Sequence, residues 1–112
     1  MEGNEEQLNQ KLTQVSIDQE LNRKERWQLE ELERDYQRLS MQHEEFLTDI
    51  IQSTQDKKTS HYFSSMEEEI EYLHKHNLSD LEDKKEYLQR KAKEFIHSEQ
   101  TLIEERKKKF QE

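Results

Sequence analysis

The chain has 112 residues, of which 40% are charged and 29% hydrophobic, and its formal net charge is −9. So little apolar material cannot fill a globular core. With one glycine and no proline, the chain also lacks the turns of a β-sandwich or barrel and the glycine-rich phosphate loop of an α/β nucleotide fold. Composition leaves two classes: long helices that bury a narrow apolar stripe, or a disordered chain.

The first half of the chain carries a heptad pattern, which favours helix over disorder. Apolar and histidine residues step by three and four at Leu29, Leu32, Tyr36, Leu39, His43, Phe46 and Ile50. This is an a/d stripe in which Leu29, Tyr36, His43 and Ile50 hold a positions and Leu32, Leu39 and Phe46 hold d positions. The register weakens toward the N-terminus, where Asn22 falls at a. We predict a first helical arm over about residues 5–52.

A polar segment follows the first arm. Residues 53–60 are rich in serine and threonine and contain no apolar residue, which is typical of a connector. Ser64 with Glu67, or Ser65 with Glu68, then has the spacing of a capping box at a helix N-terminus. We therefore predict a connector over about residues 53–64.

The second half contains two apolar stripes that are out of phase. The first comprises Phe63, Met66, Ile70 and Leu73, and the second comprises Leu81, Leu88, Phe95 and Leu102 at intervals of seven. Ser79 and Glu82 repeat the capping-box spacing between the stripes. We predict a second arm over about residues 65–110, with a kink or short break near residues 77–79.

Two arms of nearly equal length around a polar connector favour an all-α fold, a coiled-coil-like antiparallel two-helix hairpin that forms a single domain over residues 1–112. One contact seam cannot bury all the apolar residues on these arms. Trp27 lies off the main stripe, either as a rim residue packed on charged stems or as an aromatic anchor for a partner. We predict a partner-binding surface made of Trp27, Leu29, Leu32, Tyr36, Leu39, Phe46, Ile50, Leu81, Leu88, Phe95 and Leu102.

The pattern of reactive residues argues against an enzyme and against a cofactor or metal site. The chain has no cysteine, and no pair of its five histidines has the spacing of a helical zinc site. Acidic residues are plentiful, but a two-helix rod offers no pocket that would shift their pKa values for catalysis. The basic run 106–109 is expected to face the negative end of a helix dipole, and the acidic balance disfavours nucleic-acid binding.

The compartment follows from what the sequence lacks. No run approaches the length of a membrane span, and the first residues have neither the basic region nor the apolar core of a signal peptide. We expect a cytoplasmic protein without a membrane span, and export together with a client stays open.

The chain resembles the small helical hairpins of type VII secretion, through its size, its hairpin layout and segments such as 8–12 (LNQKL) and 29–36 (LEELERDY). These hairpins include the WXG100-like proteins and, closer in kind, the accessory proteins encoded beside LXG-domain toxins in Gram-positive bacteria. No Trp-x-Gly stands at the turn, so the resemblance is to the accessory members.

The resemblance implies a targeting factor or chaperone that binds the helical N-terminal LXG region of a toxin, together with a second small accessory protein. The alternative is a structural or scaffold coiled-coil protein that forms a homodimer.

Overall fold

The computed structural model describes the backbone of residues 2–111 and the side chains of residues 3–110. Within those residues the chain forms two long helices and no strand. Helix α1 spans Glu2–Ser53 and helix α2 spans Lys57–Gln111. The two helices contact each other as an antiparallel pair, so the predicted all-α helical hairpin is confirmed.

The connector is shorter than the sequence pattern predicts. Between α1 and α2 only residues 54–56 lie outside the helices, whereas the sequence pattern predicts a connector over 53–64. Asp56 begins α2 as its N-cap: its carboxylate accepts hydrogen bonds from the backbone amide of Lys58 at 3.2 Å and from the Thr59 hydroxyl at 2.7 Å. Its carbonyl accepts the first intrahelical bond, from the Ser60 amide at 2.9 Å. The predicted capping boxes at Ser64 and Ser65 lie inside the helix.

The last turn of α1 is closed by its own hydroxyl side chains. Ser53 and Thr54 both donate to the carbonyl of Ile50, at 3.1 Å and 2.7 Å. These bonds occupy a carbonyl that the end of the helix would otherwise leave without a partner.

A short break near residues 77–79 is wrong, because α2 runs through them as continuous helix, and a kink within that helix stays a prediction. The half-buried positions on this stretch are Ile70, His74, Leu78 and Leu81, which step by four, four and three. An extra step of four carries the contact stripe from one phase to the other without interrupting the helix.

The contacts divide the hairpin into two compact units. The terminal unit comprises Met1–Gln28 and Lys85–Glu112, and the connector unit comprises Leu29–Lys84. Both have thin cores: among the described residues, the buried ones are Leu8 and Asn22 in the terminal unit and Leu47 in the connector unit.

In the terminal unit a buried polar contact sets the pairing of the helices. The Asn22 amide group donates to the backbone carbonyl of Leu88 at 3.0 Å, and Asn22 is only 5% exposed. Near the chain ends, Arg106 donates to the Asn9 side-chain oxygen at 3.5 Å. Leu12, Val15, Leu88, Phe95 and Leu102 are half-buried along this part of the seam.

In the connector unit a tyrosine hydroxyl joins the two helices. Tyr36 is hydrogen-bonded to His74 Nδ1 at 2.6 Å and accepts a bond from the Asn77 amide group at 2.9 Å. The Tyr36 and His74 rings meet edge to face with centroids 5.0 Å apart. These contacts set the antiparallel register that positions the surface described next.

Candidate partner-binding surface

The predicted heptad stripe of α1 is split by the structure between a contact seam and an exposed row. Of the a positions, Leu29, Tyr36 and Ile50 are half-buried, whereas His43 is exposed. The d positions are exposed: Leu32 by 53%, Leu39 by 45% and Phe46 by 63%. We call Leu32, Leu39 and Phe46 the exposed row.

The hairpin completes its seam with residues on the other flank of the a positions. Glu33 and Ser40 are half-buried and Leu47 is buried, at 4% exposure. Each of these residues lies four positions after an a position of the heptad. Each residue of the exposed row lies three positions after an a position, on the other flank. Because one neighbouring helix covers only part of a wide apolar stripe, the flank that turns away from α2 stays in solvent.

Residues of α2 extend the exposed row into a face. Because the helices run antiparallel with the same rise per residue, a step toward the C-terminus of α1 faces a step toward the N-terminus of α2. Counting from the contacts of Tyr36 with His74 and Asn77 therefore places Leu39 level with Leu73, and Phe46 level with Met66. Leu73 is 55% exposed and Met66 is half-buried.

The opposite flank of the seam shows that these residues share one side of the connector unit. Ser40 of α1 and Leu78 of α2 line a common groove. At about 100° per residue, Leu39 lies about 60° round α1 from Tyr36 in the sense opposite to Ser40. Leu73 lies about 100° round α2 from His74 in the sense opposite to Leu78. Leu39 and Leu73 therefore lie on the same side of the connector unit. We call the exposed row together with Met66 and Leu73 the apolar face.

Carboxylates lie outside the apolar face on both helices. Asp35 and Asp49 lie about 100–140° round α1 from Tyr36, and Glu69 and Asp80 lie about 120–140° round α2 from His74, in the sense of the apolar face. All four side chains are exposed. We call these four residues the acidic rim.

A groove between the two helices lies on the opposite side of the connector unit. Leu47, Ile70 and Leu78 form its floor, and Glu44, Glu67 and Glu71 stand along it. Lys75 forms an ion pair with Glu71 at 3.5 Å, four residues apart on the same helix. Its lining combines apolar with charged residues, and we use this groove below as an internal control on the opposite side of the same unit.

The structure brings together only some of the predicted partner-binding residues. Seven are half-buried in the seam of their own unit: Leu29, Tyr36, Ile50, Leu81, Leu88, Phe95 and Leu102. The exposed row keeps three of the predicted residues in solvent. Trp27 is 61% exposed and belongs to the terminal unit. It lies about 140° round α1 from the buried Asn22, and so points outward from the contact with α2.

Met66 and Leu73 are the two residues of the apolar face that the sequence prediction left out. Their signal was present, because they are seven residues apart, like the members of the exposed row. Local sequence does not say which of two adjacent stripes turns inward, since that depends on the register against the other helix.

The described residues include no cluster placed to bind a metal ion. Across residues 2–111 there is no group of three or more His, Cys, Asp or Glu side chains placed to hold a metal ion. Lys91 donates a hydrogen bond to Glu94 at 3.2 Å, and this bond and the charge of the carboxylate raise the pKa of Lys91 above its ordinary value. Lys91 is half-buried and lines a groove of the terminal unit with Asn22, Leu88 and Phe95, while Glu94 is exposed.

Fold and surface together define the class of protein: a two-helix hairpin with an uncovered apolar face. No helix in the described part of the chain has a stretch apolar enough to cross a membrane. The chain matches the sequence model of the family DUF3958, described as a protein of unknown function, over residues 4–109, and it belongs to that family. No curated protein and no solved structure matches it.

Proposed function

We propose that this protein is a non-enzymatic helical binding module, a targeting factor or chaperone that binds the helical N-terminal region of an LXG toxin in the cytoplasm before export. One observation carries the proposal: Leu32, Leu39 and Phe46 stand exposed at intervals of seven. Residues at that interval follow one side of a helix and fit a helical partner. The resemblance to the accessory proteins of LXG toxins supplies the identity of that partner.

The energetics of the hairpin support a binding role over a self-sufficient fold. The described residues bury few large side chains, so burial of apolar area stabilises the free chain only weakly. A third helix on the apolar face would remove the exposed row, Met66 and Leu73 from water. In the same contact, an LXG region would lose its own exposed apolar surface.

The test is binding to the LXG region of the toxin encoded beside this chain. The row variant Leu32→Ser/Leu39→Ser/Phe46→Ser should weaken binding about 100-fold or more, because three apolar contacts are lost from the centre of the interface. The control variant Met41→Ser/Tyr72→Ser changes two exposed residues on the outer sides of α1 and α2. It should keep affinity within about threefold, which is the ordinary effect of surface substitutions.

Calorimetry measures both affinities, and circular dichroism checks that each variant keeps its helices. If the row variant binds as tightly as the unaltered chain, the apolar face is not the binding site. If no LXG toxin is encoded beside this chain, the proposed partner is wrong.

Light scattering separates the proposal from the homodimer alternative. A chain that is monomeric alone and forms a defined complex with the LXG region supports the proposal. A stable dimer that the row variant turns into a monomer supports the structural coiled-coil alternative, since the exposed row would then be covered by a second copy.

A further inference from the structure

The charge of the chain is unevenly distributed between its two units. The connector unit, residues 29–84, contains 15 acidic and 6 basic residues, a net charge of −9. Residues 1–28 and 85–112 of the terminal unit contain 12 of each, a net charge of zero. The whole net charge of the protein therefore belongs to the unit that carries the apolar face.

Ion pairs within the connector unit neutralise little of this charge. Asp35 of the acidic rim is 3.9 Å from Arg38, three residues along the same helix, and both side chains are more than 60% exposed. Asp80 is 3.8 Å from His76, which is charged only when protonated. Exposed pairs of this kind interact weakly. Six basic residues cannot balance 15 acidic ones, so the rim presents a negative potential along the apolar face.

We infer that the occupant of the apolar face is a basic amphipathic helix of a different protein, with leucine-like side chains on the apolar face and lysine or arginine against Asp35, Asp49, Glu69 and Asp80. This inference rests on the proposed function and adds the chemistry of the partner. A helix is the occupant because the row has the heptad interval, and its flanks are basic because the rim is acidic.

A second copy of this chain fits the face poorly. A symmetric dimer through the apolar face would bring two units of net charge −9 together, and like charges across an interface are unfavourable. The terminal unit of a second copy has no net charge, so its overall electrostatic attraction to the rim is weaker than that of a basic helix. A surface of acidic lipid would be repelled by the same carboxylates.

The probe for the test is a pair of designed peptides of about four heptads, each with leucine at a and d. One carries lysine at e and g and the other carries glutamate. Like charges at e and g prevent each peptide from pairing with itself. At low salt the full chain should bind the lysine peptide at least about tenfold more tightly than the glutamate peptide, and added salt should reduce the difference.

Two variants with the same change of charge locate the effect. The rim variant is Asp35→Asn/Asp49→Asn/Glu69→Gln, and the groove variant is Glu44→Gln/Glu67→Gln/Glu71→Gln on the opposite side of the same unit. The rim variant should weaken binding of the lysine peptide about tenfold or more, and the groove variant less than about threefold.

The outcomes separate this inference from the proposed function. Equal binding of the two peptides, equal effects of the two variants, or no binding of either peptide overturns the inference of a basic partner, even where the LXG region binds through the exposed row. If the row variant leaves binding of the LXG region unchanged, the proposed function itself fails.

Discussion

Asn22 is the buried polar residue at the contact between the two helices of the terminal unit. Its amide group donates to the Leu88 carbonyl at 3.0 Å, and among the described residues its side-chain oxygen has no hydrogen-bond partner. A buried acceptor without a partner lowers the stability of the fold. A polar residue in a helical seam also disfavours other registers, because they would leave its polar atoms without partners. Asn22 thus stabilises one pairing of the helices over others.

Two substitutions at Asn22 should change stability in opposite directions. Asn22→Leu removes the unsatisfied oxygen and adds apolar contact, so the melting temperature should rise. Asn22→Asp places a carboxylate that cannot donate to the Leu88 carbonyl, and should lower the free energy of unfolding by about 1–3 kcal/mol. Urea titrations followed by circular dichroism measure both. A Leu variant less stable than the unaltered chain would contradict this account of Asn22.

Trp27 offers a direct report on binding, because it is the only tryptophan and is 61% exposed. If the LXG region covers it, its fluorescence should shift to shorter wavelength on binding, and Trp27→Ala should weaken affinity about tenfold or more, as expected for an aromatic anchor. The melting temperature of the free chain should stay unchanged, since the side chain points away from α2. An unshifted spectrum with unchanged affinity would show that Trp27 is not part of the partner-binding surface and only packs on neighbouring charged side chains.

At the scale of the helix, Asp56 determines where α2 begins. The Thr59 hydroxyl and then the Lys58 amide donate to its carboxylate, and these bonds hold the pKa of Asp56 below its ordinary value. Because the pKa is lower in the folded chain, the cap contributes stability above the unfolded pKa of about 4. That contribution is lost as the pH falls through the folded value.

The matched control for this cap is Asp56→Asn, because asparagine caps helices about as well as aspartate but does not titrate. The difference in melting temperature between the unaltered chain and Asp56→Asn should be constant above about pH 5 and should change in favour of the Asn variant below about pH 4. Other carboxylates titrate in both proteins and cancel. A difference that stays constant through the acid range would show that the Asp56 charge plays no part in the cap.

The helices were predictable from the sequence, but their ends and phases were less so. A chain with no proline and apolar residues at intervals of three and four has few alternatives to helix. The start of α2 was predicted at Ser64 or Ser65 because their spacing to Glu67 and Glu68 fits a capping box. In the structure Asp56 with Thr59 caps α2 instead of Ser64 or Ser65. The earlier cap is favoured because it allows eight further residues to make helical hydrogen bonds.

The candidate surface was predicted only in part, for a reason of register. The heptad identified Leu32, Leu39 and Phe46 together with Leu29, Tyr36 and Ile50, but did not separate the two sets. Separation depends on which flank of α1 faces α2. The contacts of Tyr36 with His74 and Asn77 determine that, and these residues are about forty positions away in sequence.

At the scale of the whole chain, the two units differ in electrostatics more than in burial. Each buries very few of its described side chains, but the connector unit carries the full net charge of −9. Repulsion among like charges destabilises a compact state, and salt screens it. The terminal unit has balanced charge and should be less sensitive. Salt should therefore act on the two parts of the same helices differently.

Hydrogen exchange measured by mass spectrometry on the free chain can show this difference. Raising salt from about 20 mM to about 500 mM shortens the screening length from roughly 20 Å to less than 5 Å. Amide exchange in residues 29–84 should slow, because screening favours the folded form of the connector unit, while exchange in residues 1–28 and 85–112 changes less. The terminal unit is the control within the same molecule. Equal slowing in both units would mean that the charge of the connector unit does not limit its stability. The rim variant should narrow the difference, since removing three carboxylates reduces the repulsion that salt would otherwise screen.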